Sequence, residues 1–348
     1  MSKSLRPNIQ VNTLTTDEVQ TYAAVLNLYR NTKAGKLAIT CVGGGAKGEW
    51  QAGFLYFMWQ IGLLSLVDLF TGTSVGGLNS LLASLFIADY QKALDVWRGI
   101  GANSDVYNGQ LPSSGIFSIL RNLPKLFSNS PSLLDPSPLE AIAKGVFTDL
   151  RASQLPRPVF TVADNRVPNR RVVLGHDTEG TDRHQDDLCV DMALATSRVP
   201  CAFPPYRYKD MLLFDGAVYN NIPVDLAIEK GASKVFVLFC DPDPDLHPVE
   251  DSGNTILGNG LTMLNNLYQQ HEMEMWRSLE LREAEQAKHG GPVQNYGKFY
   301  PSRATGSLLD FERKGSSDIM QLGYDDARKY LTPEKLSTIL TTSTDVTS

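Results

Sequence analysis

The chain has 348 residues, 42% of them apolar, and a formal net charge of −6. That is enough material for one large α/β core, and it excludes a protein held to nucleic acid or anionic lipid by overall charge, so any membrane contact must be local. The four cysteines (Cys41, Cys189, Cys201 and Cys240) form no C-x-x-C pair and sit in apolar or motif-adjacent stretches, which reads as buried thiols in a reducing, cytoplasmic compartment. Residues 1–20 are polar with no apolar signal core, and no apolar run is long enough to span a bilayer; the expectation is a soluble protein, at most peripheral at a membrane.

Residues 15–30 predict an amphipathic helix with Thr16 or Asp17 near its cap, so that 1–35 read as a helical extension. A strand over 36–42 then runs into Gly43-Gly44-Gly45-Ala46-Lys47-Gly48 and a largely buried helix over 49–64. A second strand, 66–70, runs into Gly72-Thr73-Ser74-Val75-Gly76 and another buried helix over 75–87. Residues 101–138 interrupt the alternation with Ser, Pro, Asn and Gly. Strands are predicted at 158–163 and 171–174, a helix at 190–196, a strand at 211–214, a helix at 223–230 and a strand at 234–240. Residues 253–291 form a helical insertion, and 332–348 a tail. Alternating strands and helices predict a three-layer α/β/α fold with a mostly parallel central sheet. Its ligand site is expected beyond the carboxyl ends of the strands, where both glycine turns and Asp215 lie.

The glycine turns carry the chemistry. Gly72-Thr73-Ser74-Val75-Gly76 is a G-x-S-x-G pattern on a strand-to-helix turn, an arrangement that lifts a serine hydroxyl to a helix N-terminus. Gly72 and Gly76 leave room where the turn meets its neighbours. The run from Gly43 to Gly48 exposes backbone N–H groups able to hold an oxyanion. It also matches G-x-G-x-x-G with Asp68 about twenty residues on, a dinucleotide pattern. Against that reading, Asp68 is expected inside the second strand, which delivers a serine where a ribose contact belongs. A Walker A loop is excluded because Gly48, not Ser or Thr, follows Lys47. The base for Ser74 has one short-motif candidate, Asp215, which follows an apolar strand and precedes Gly216-Ala217. None of the five histidines sits in such a motif, although the order Ser74, Asp215, then His247 or His271 would also satisfy a Ser–Asp–His esterase. No metal site is expected: the run from Asp241 to Asp245 lacks the EF-hand glycine and glutamate and reads as a solvated loop, and His271-Glu272 lacks a second zinc-binding histidine.

These residues resemble the patatin-like phospholipase family. The resemblance rests on the glycine run from Gly43, the elbow at Ser74, Ala195-Thr196-Ser197-Arg198-Val199-Pro200 with Phe203-Pro204-Pro205, Asp215-Gly216-Ala217 with Asn220-Asn221-Ile222-Pro223, and more weakly Gly323-Tyr324. The chain departs from the family pattern at Val42, Lys47 and Ala217. The resemblance implies an acyl hydrolase domain over 36–331 that uses no cofactor and cleaves phospholipid or lysophospholipid esters. Ser74 would be the nucleophile and Asp215 the base, and the oxyanion hole would lie within Gly43, Gly44, Gly45, Lys47 and Gly48, centred on Gly44 and Gly45. An acyltransferase or a non-catalytic lipid-binding protein could use the same scaffold. Residues 115–127, with Phe117, Leu120 and Phe127 among two cations, read either as a cap packed on the core or as a contact with acyl chains or a bilayer.

Overall fold

The computed structural model describes residues 8–33 except 12, 35–109, 132–167, 169–176, 186–244, scattered helical positions between 270 and 288, 295–311 and 317–341. Along the chain come α1 (Thr16–Thr32), β1 (Lys36–Cys41), α2 (Glu49–Gln60), β2 (Leu69–Thr73), α3 (Val75–Leu85), α4 (Gln91–Arg98) and α5 (Ser137–Phe147). Next are β3 (Val159–Arg166), β4 (Asn169–Leu174), α6 (Cys189–Thr196), β5 (Tyr206–Tyr208), β6 (Met211–Asp215) and α7 (Val224–Glu229). Last are β7 (Ala232–Leu238), β8 (Asn295–Phe299), α8 (Ser317–Tyr330) and α9 (Pro333–Thr341).

β8, β7, β1, β2 and β3 lie side by side and parallel. β1 is buried on both faces. Its Leu37, Ile39 and Cys41 join the larger core with α2 and α3, and its Ala38 joins a second core with α7 and helical residues 273–279. This is the expected three-layer α/β arrangement, mixed rather than wholly parallel. The departure lies at β3, which pairs with β4 through Thr161–Arg166, with β2 through Val159–Val162, and with β6 through Ala163–Asn165. A strand has two edges. β4 holds one, so β2 and β6 share the other and meet end to end between Val162 and Ala163. β6 therefore runs antiparallel to its neighbour, not parallel as a plain alternation implies.

Other expectations shift for local reasons. The second strand starts at Leu69, after a 3-10 turn over Leu63–Leu66. Asp68 consequently precedes the strand, at the end of the sheet opposite the glycine turns, where it accepts from the Leu37 N–H and pairs with Lys33. The first and last described helices belong to the main body. α1 is capped by Thr15 and buries Tyr22, Leu26 and Tyr29, and the Tyr22 hydroxyl donates to the Leu331 carbonyl. The region expected as a tail instead begins with α9, whose Leu336 and Leu340 are buried. Three of the four cysteines are buried as expected, but Cys201 is exposed. No helix among the described residues is long and apolar enough to cross a membrane.

α2 and α8 cross almost backbone to backbone. A Cβ on Gly53 would lie 1.9 Å from the Met320 carbonyl oxygen, and one on Gly323 would lie 2.0 Å from that of Trp50. Gly323→Ala should therefore cost at least ~2 kcal/mol in denaturant unfolding, because two helices must separate. The same change at Gly145, in α5 with nothing within 4 Å of the added carbon, should stabilise by about 0.5–1 kcal/mol through helix propensity. Equal effects at both positions would contradict the close crossing.

Candidate active site

The end-to-end meeting of β2 and β6 sets the site. Thr73 pairs with Val162 and Asp215 with Ala163, so Ser74, the next residue after β2, faces the last residue of β6. Ser74 has φ 56° and ψ −133°, a conformation that costs a non-glycine residue free energy and is kept only where its surroundings enforce it. Those surroundings are visible. The Ser74 N–H donates to Thr196 Oγ1 (2.9 Å), which itself donates to the Val162 carbonyl (2.5 Å). Thr73 Oγ1 donates to the Asn220 carbonyl at 2.8 Å. Gly72 and Gly76 let the turn close: a Cβ on Gly72 would lie 2.4 Å from the Gly76 oxygen, and one on Gly76 would lie 2.1 Å from that of Cys41.

Asp215 is 1% exposed. Its Oδ1 accepts the Ala217 N–H at 2.9 Å, and its Oδ2 is buried with no hydrogen bond of standard geometry. Burial pushes its pKa up to about 7, opposed by the facing Ser74 hydroxyl and the Ala217 N–H. An acid that is neutral in an ordinary low-dielectric setting and ionises near pH 7 is a competent base towards a hydroxyl. Gly216 carries the chain away closely, since a Cβ there would lie 2.2 Å from the Val162 oxygen.

The glycine loop lies beside Ser74: a Cβ on Gly43 would come within 3.0 Å of Ser74 Cβ. Its N–H groups divide into committed and uncommitted. Gly43 donates to Asn221 Oδ1 (3.1 Å), Ala46 to the Leu308 carbonyl (2.8 Å) and Lys47 to the Gly44 carbonyl (3.2 Å). The N–H groups of Gly44 and Gly45 have no acceptor among the described residues. Two residues grouped with them by sequence do other work. Lys47 is 3% exposed and pairs through Nζ with Asp241 Oδ2 at 2.5 Å. The first acid of the run expected to be solvated is thus a counter-ion. Gly48 packs on Val75.

Beyond Ser74 opens an apolar pocket, part of it open to solvent. Gly45, Ser74 and Ser197 contribute to its lining; the remainder is apolar, including Leu78, Trp97, Leu139, Ala143 and Phe311. Phe117, Leu120, Phe127, His247 and His271 lie outside the described residues. Sequence reading did not assign Thr196 or Asn221 their clamping roles. It also did not see the buried chain under the glycine loop, in which Gln51 Nε2 donates to the Val42 carbonyl, Asn79 Nδ2 to the Gly48 carbonyl and Trp97 Nε1 to Asn79 Oδ1. The available signal was an amide set among apolar residues in each of two helices, Gln51 in α2 and Asn79 in α3, because a buried amide demands partners. Among the described residues no group of three or more acidic, histidine or cysteine side chains is arranged to hold a metal.

The Patatin-like phospholipase family matches residues 40–228, more than half of the chain. Uncharacterized NTE family proteins of Mycobacterium bovis and Mycobacterium tuberculosis are each 23% identical over 199 residues, which is 57% of this chain but 29% of theirs. The chain is thus matched to less than a third of the length of these relatives. Among solved structures, human GIVD cytosolic phospholipase A2 in complex with methyl gamma-linolenyl fluorophosphonate is 11% identical with a TM-score of 0.48, covering 99% of this chain and 66% of that one. VipD from Legionella pneumophila is 12% identical with a TM-score of 0.40, covering 85% and 66%.

A raised aspartate pKa has a consequence for folding. The unfolded carboxyl ionises near 4 and the folded one near 7, so the contribution of Asp215 to stability is greatest below about pH 4, falls as pH rises towards 7, and stays low above it. Asp215→Asn should therefore stabilise the protein by up to about 4 kcal/mol above pH 8 in denaturant melts, with the gain vanishing towards pH 4. A gain independent of pH would mean that Asp215 carries no buried charge.

Proposed function

The chain belongs to the patatin-like phospholipase family, and from that premise we propose that it is a lipid acyl hydrolase cleaving carboxylic esters of phospholipids or lysophospholipids. The observation that carries the reading is the strained Ser74 facing a buried Asp215 at the mouth of an apolar pocket. Asp215 takes the proton from Ser74 Oγ as that oxygen attacks the ester carbonyl carbon. The carbonyl oxygen becomes an oxyanion, held by the N–H groups of Gly44 and Gly45 and favoured by the N-terminus of α3. The tetrahedral adduct collapses, the C–O bond to the alcohol breaks, and protonated Asp215 returns its proton to the leaving oxygen. A water then surrenders its proton to Asp215 and attacks the acyl-enzyme carbonyl carbon; on collapse the bond to Ser74 Oγ breaks, Asp215 returns the proton to that oxygen, and the fatty acid is released.

The interaction between Ser74 and Asp215 argues against a histidine relay, since a triad needs an imidazole between the two. The dinucleotide reading of the glycine turn loses its acid, because Asp68 is paired at the far end of the sheet. We assign the acyl chain to the pocket beyond Ser74, where each buried methylene contributes about 0.8 kcal/mol. The protein would act in the cytoplasm, meeting lipid peripherally.

Ser74→Ala should abolish hydrolysis of a soluble short-chain ester and labelling by a fluorophosphonate, with the adduct of the parent protein found on Ser74 by mass spectrometry. Asp215→Asn should lower kcat/KM about 10²–10⁴-fold, while His247→Ala and His271→Ala leave it unchanged. The parent rate should rise with pH through about 7 as Asp215 ionises. An adduct elsewhere, or a histidine variant as damaged as Asp215→Asn, would remove the dyad.

Ala143→Trp should narrow the pocket. Turnover of esters with long acyl chains should drop at least tenfold relative to acetate or butyrate esters. Equal loss on all chain lengths would place the acyl chain elsewhere.

A further inference from the structure

The sheet projects beyond the site as two antiparallel hairpins. β3 and β4 are joined between Arg166 and Asn169, and β5 and β6 between Tyr208 and Met211. Because β6 continues along the edge that β2 vacates, both turns stand at the same end of the sheet as Ser74. Val167 is five residues past Val162, the partner of Thr73, so the tips reach on the order of 15 Å beyond the end of β2.

These tips are unlike the rest of the surface. Arg166, Arg170, Arg207 and Lys209 are exposed, and none has an ion-pair partner among the described residues. Their neighbour Arg171, by contrast, is paired with both Asp225 and Glu229. Asp210 is the one acid in the two turns. Val167 is 79% exposed, the most exposed large hydrophobic residue among those described. Four cations with no ion-pair partner among the described residues, around a projecting apolar side chain on a chain whose net charge is −6, form a local feature that overall composition conceals. Cations in such a position are drawn to anionic lipid, and an apolar tip enters the headgroup region.

We propose that the tips of these two hairpins dock the protein on an anionic bilayer surface. Arg166, Arg170, Arg207 and Lys209 meet the headgroups and Val167 inserts between them. The purpose of this surface rests on the lipid-hydrolase reading; its charge and geometry do not. Docking by this end turns the mouth of the site towards the lipid.

The test uses the full chain carrying Ser74→Ala, so that binding is read without turnover. It should cosediment with vesicles of phosphatidylcholine containing 30% phosphatidylserine and not with phosphatidylcholine alone, and 0.5 M salt should release it. Adding Arg166→Gln, Arg170→Gln and Lys209→Gln should weaken that binding on the order of a hundredfold. Keeping the charge instead, with Arg166→Lys and Arg170→Lys and Lys209 left unchanged, should preserve it. Lys36→Gln with Lys230→Gln, at the opposite end of the sheet, should change it less than twofold. The three glutamine substitutions in the parent background should leave short-chain ester hydrolysis unchanged, so loss of docking and loss of the hydrolase reading are separate results. Vesicle binding that survives the triple substitution with the fold intact, or that ignores phosphatidylserine, overturns the proposal. So does loss of affinity for a single-stranded oligonucleotide with vesicle binding unmoved, which would make nucleic acid the occupant.

Discussion

Everything at the site depends on two strands that meet head to head along one edge of β3. β2 arrives from one end and stops at Thr73; β6 arrives from the other and stops at Asp215. Backbone pairing to a shared neighbour fixes both ends to within a hydrogen-bond register. It therefore fixes the serine against the carboxylate more tightly than two loops could. The chain must then leave the sheet on both sides of the junction. Gly72, Gly76 and Gly216 are the positions at which a side chain would collide with backbone.

The junction is held at a cost. Ser74 occupies a strained conformation, and Asp215 has one carboxylate oxygen buried without a hydrogen bond of standard geometry. Both features oppose folding and both favour attack by an oxygen nucleophile, the trade expected where local structure serves chemistry. What offsets them lies around the site. Thr196 and Asn220 tie the elbow to β3 and to the segment after Asp215, Asn221 ties that segment to Gly43, and Gln51 and Asn79 support the glycine loop from below. Their hydrogen bonds are buried, where an unmade partner costs about 1–3 kcal/mol.

The site is also polarised. On one side lie the backbone donors and Asp215; on the other lies the apolar pocket, reached past Ser74. A reacting ester would cross this boundary at its carbonyl, with the hydrocarbon excluded from water and the oxygen next to fixed dipoles. Low dielectric on the apolar side strengthens those dipoles and at the same time raises the Asp215 pKa, so one physical cause would serve both the proposed base and the proposed oxyanion.

Much of this was legible in the sequence because local chemistry demands particular residues. A strand-to-helix serine turn needs glycines at fixed offsets and a buried strand needs an apolar run, which is why Gly72, Ser74 and Gly76 stand out along the chain; Asp215 stands out by the apolar strand before it and Gly216 after it, while its proposed role as base came from the family resemblance. The alternation of strands and helices likewise implies a layered α/β fold. Only the tertiary structure decided the direction of β6, because an apolar run of five residues reads the same whichever way its neighbours run. It alone decided that Lys47 pairs with Asp241, that Gly43 spends its N–H on Asn221, and that residues 333–341 pack as a helix. Each of these joins parts of the chain through space, and a pattern read along the chain records only what neighbouring residues require of one another.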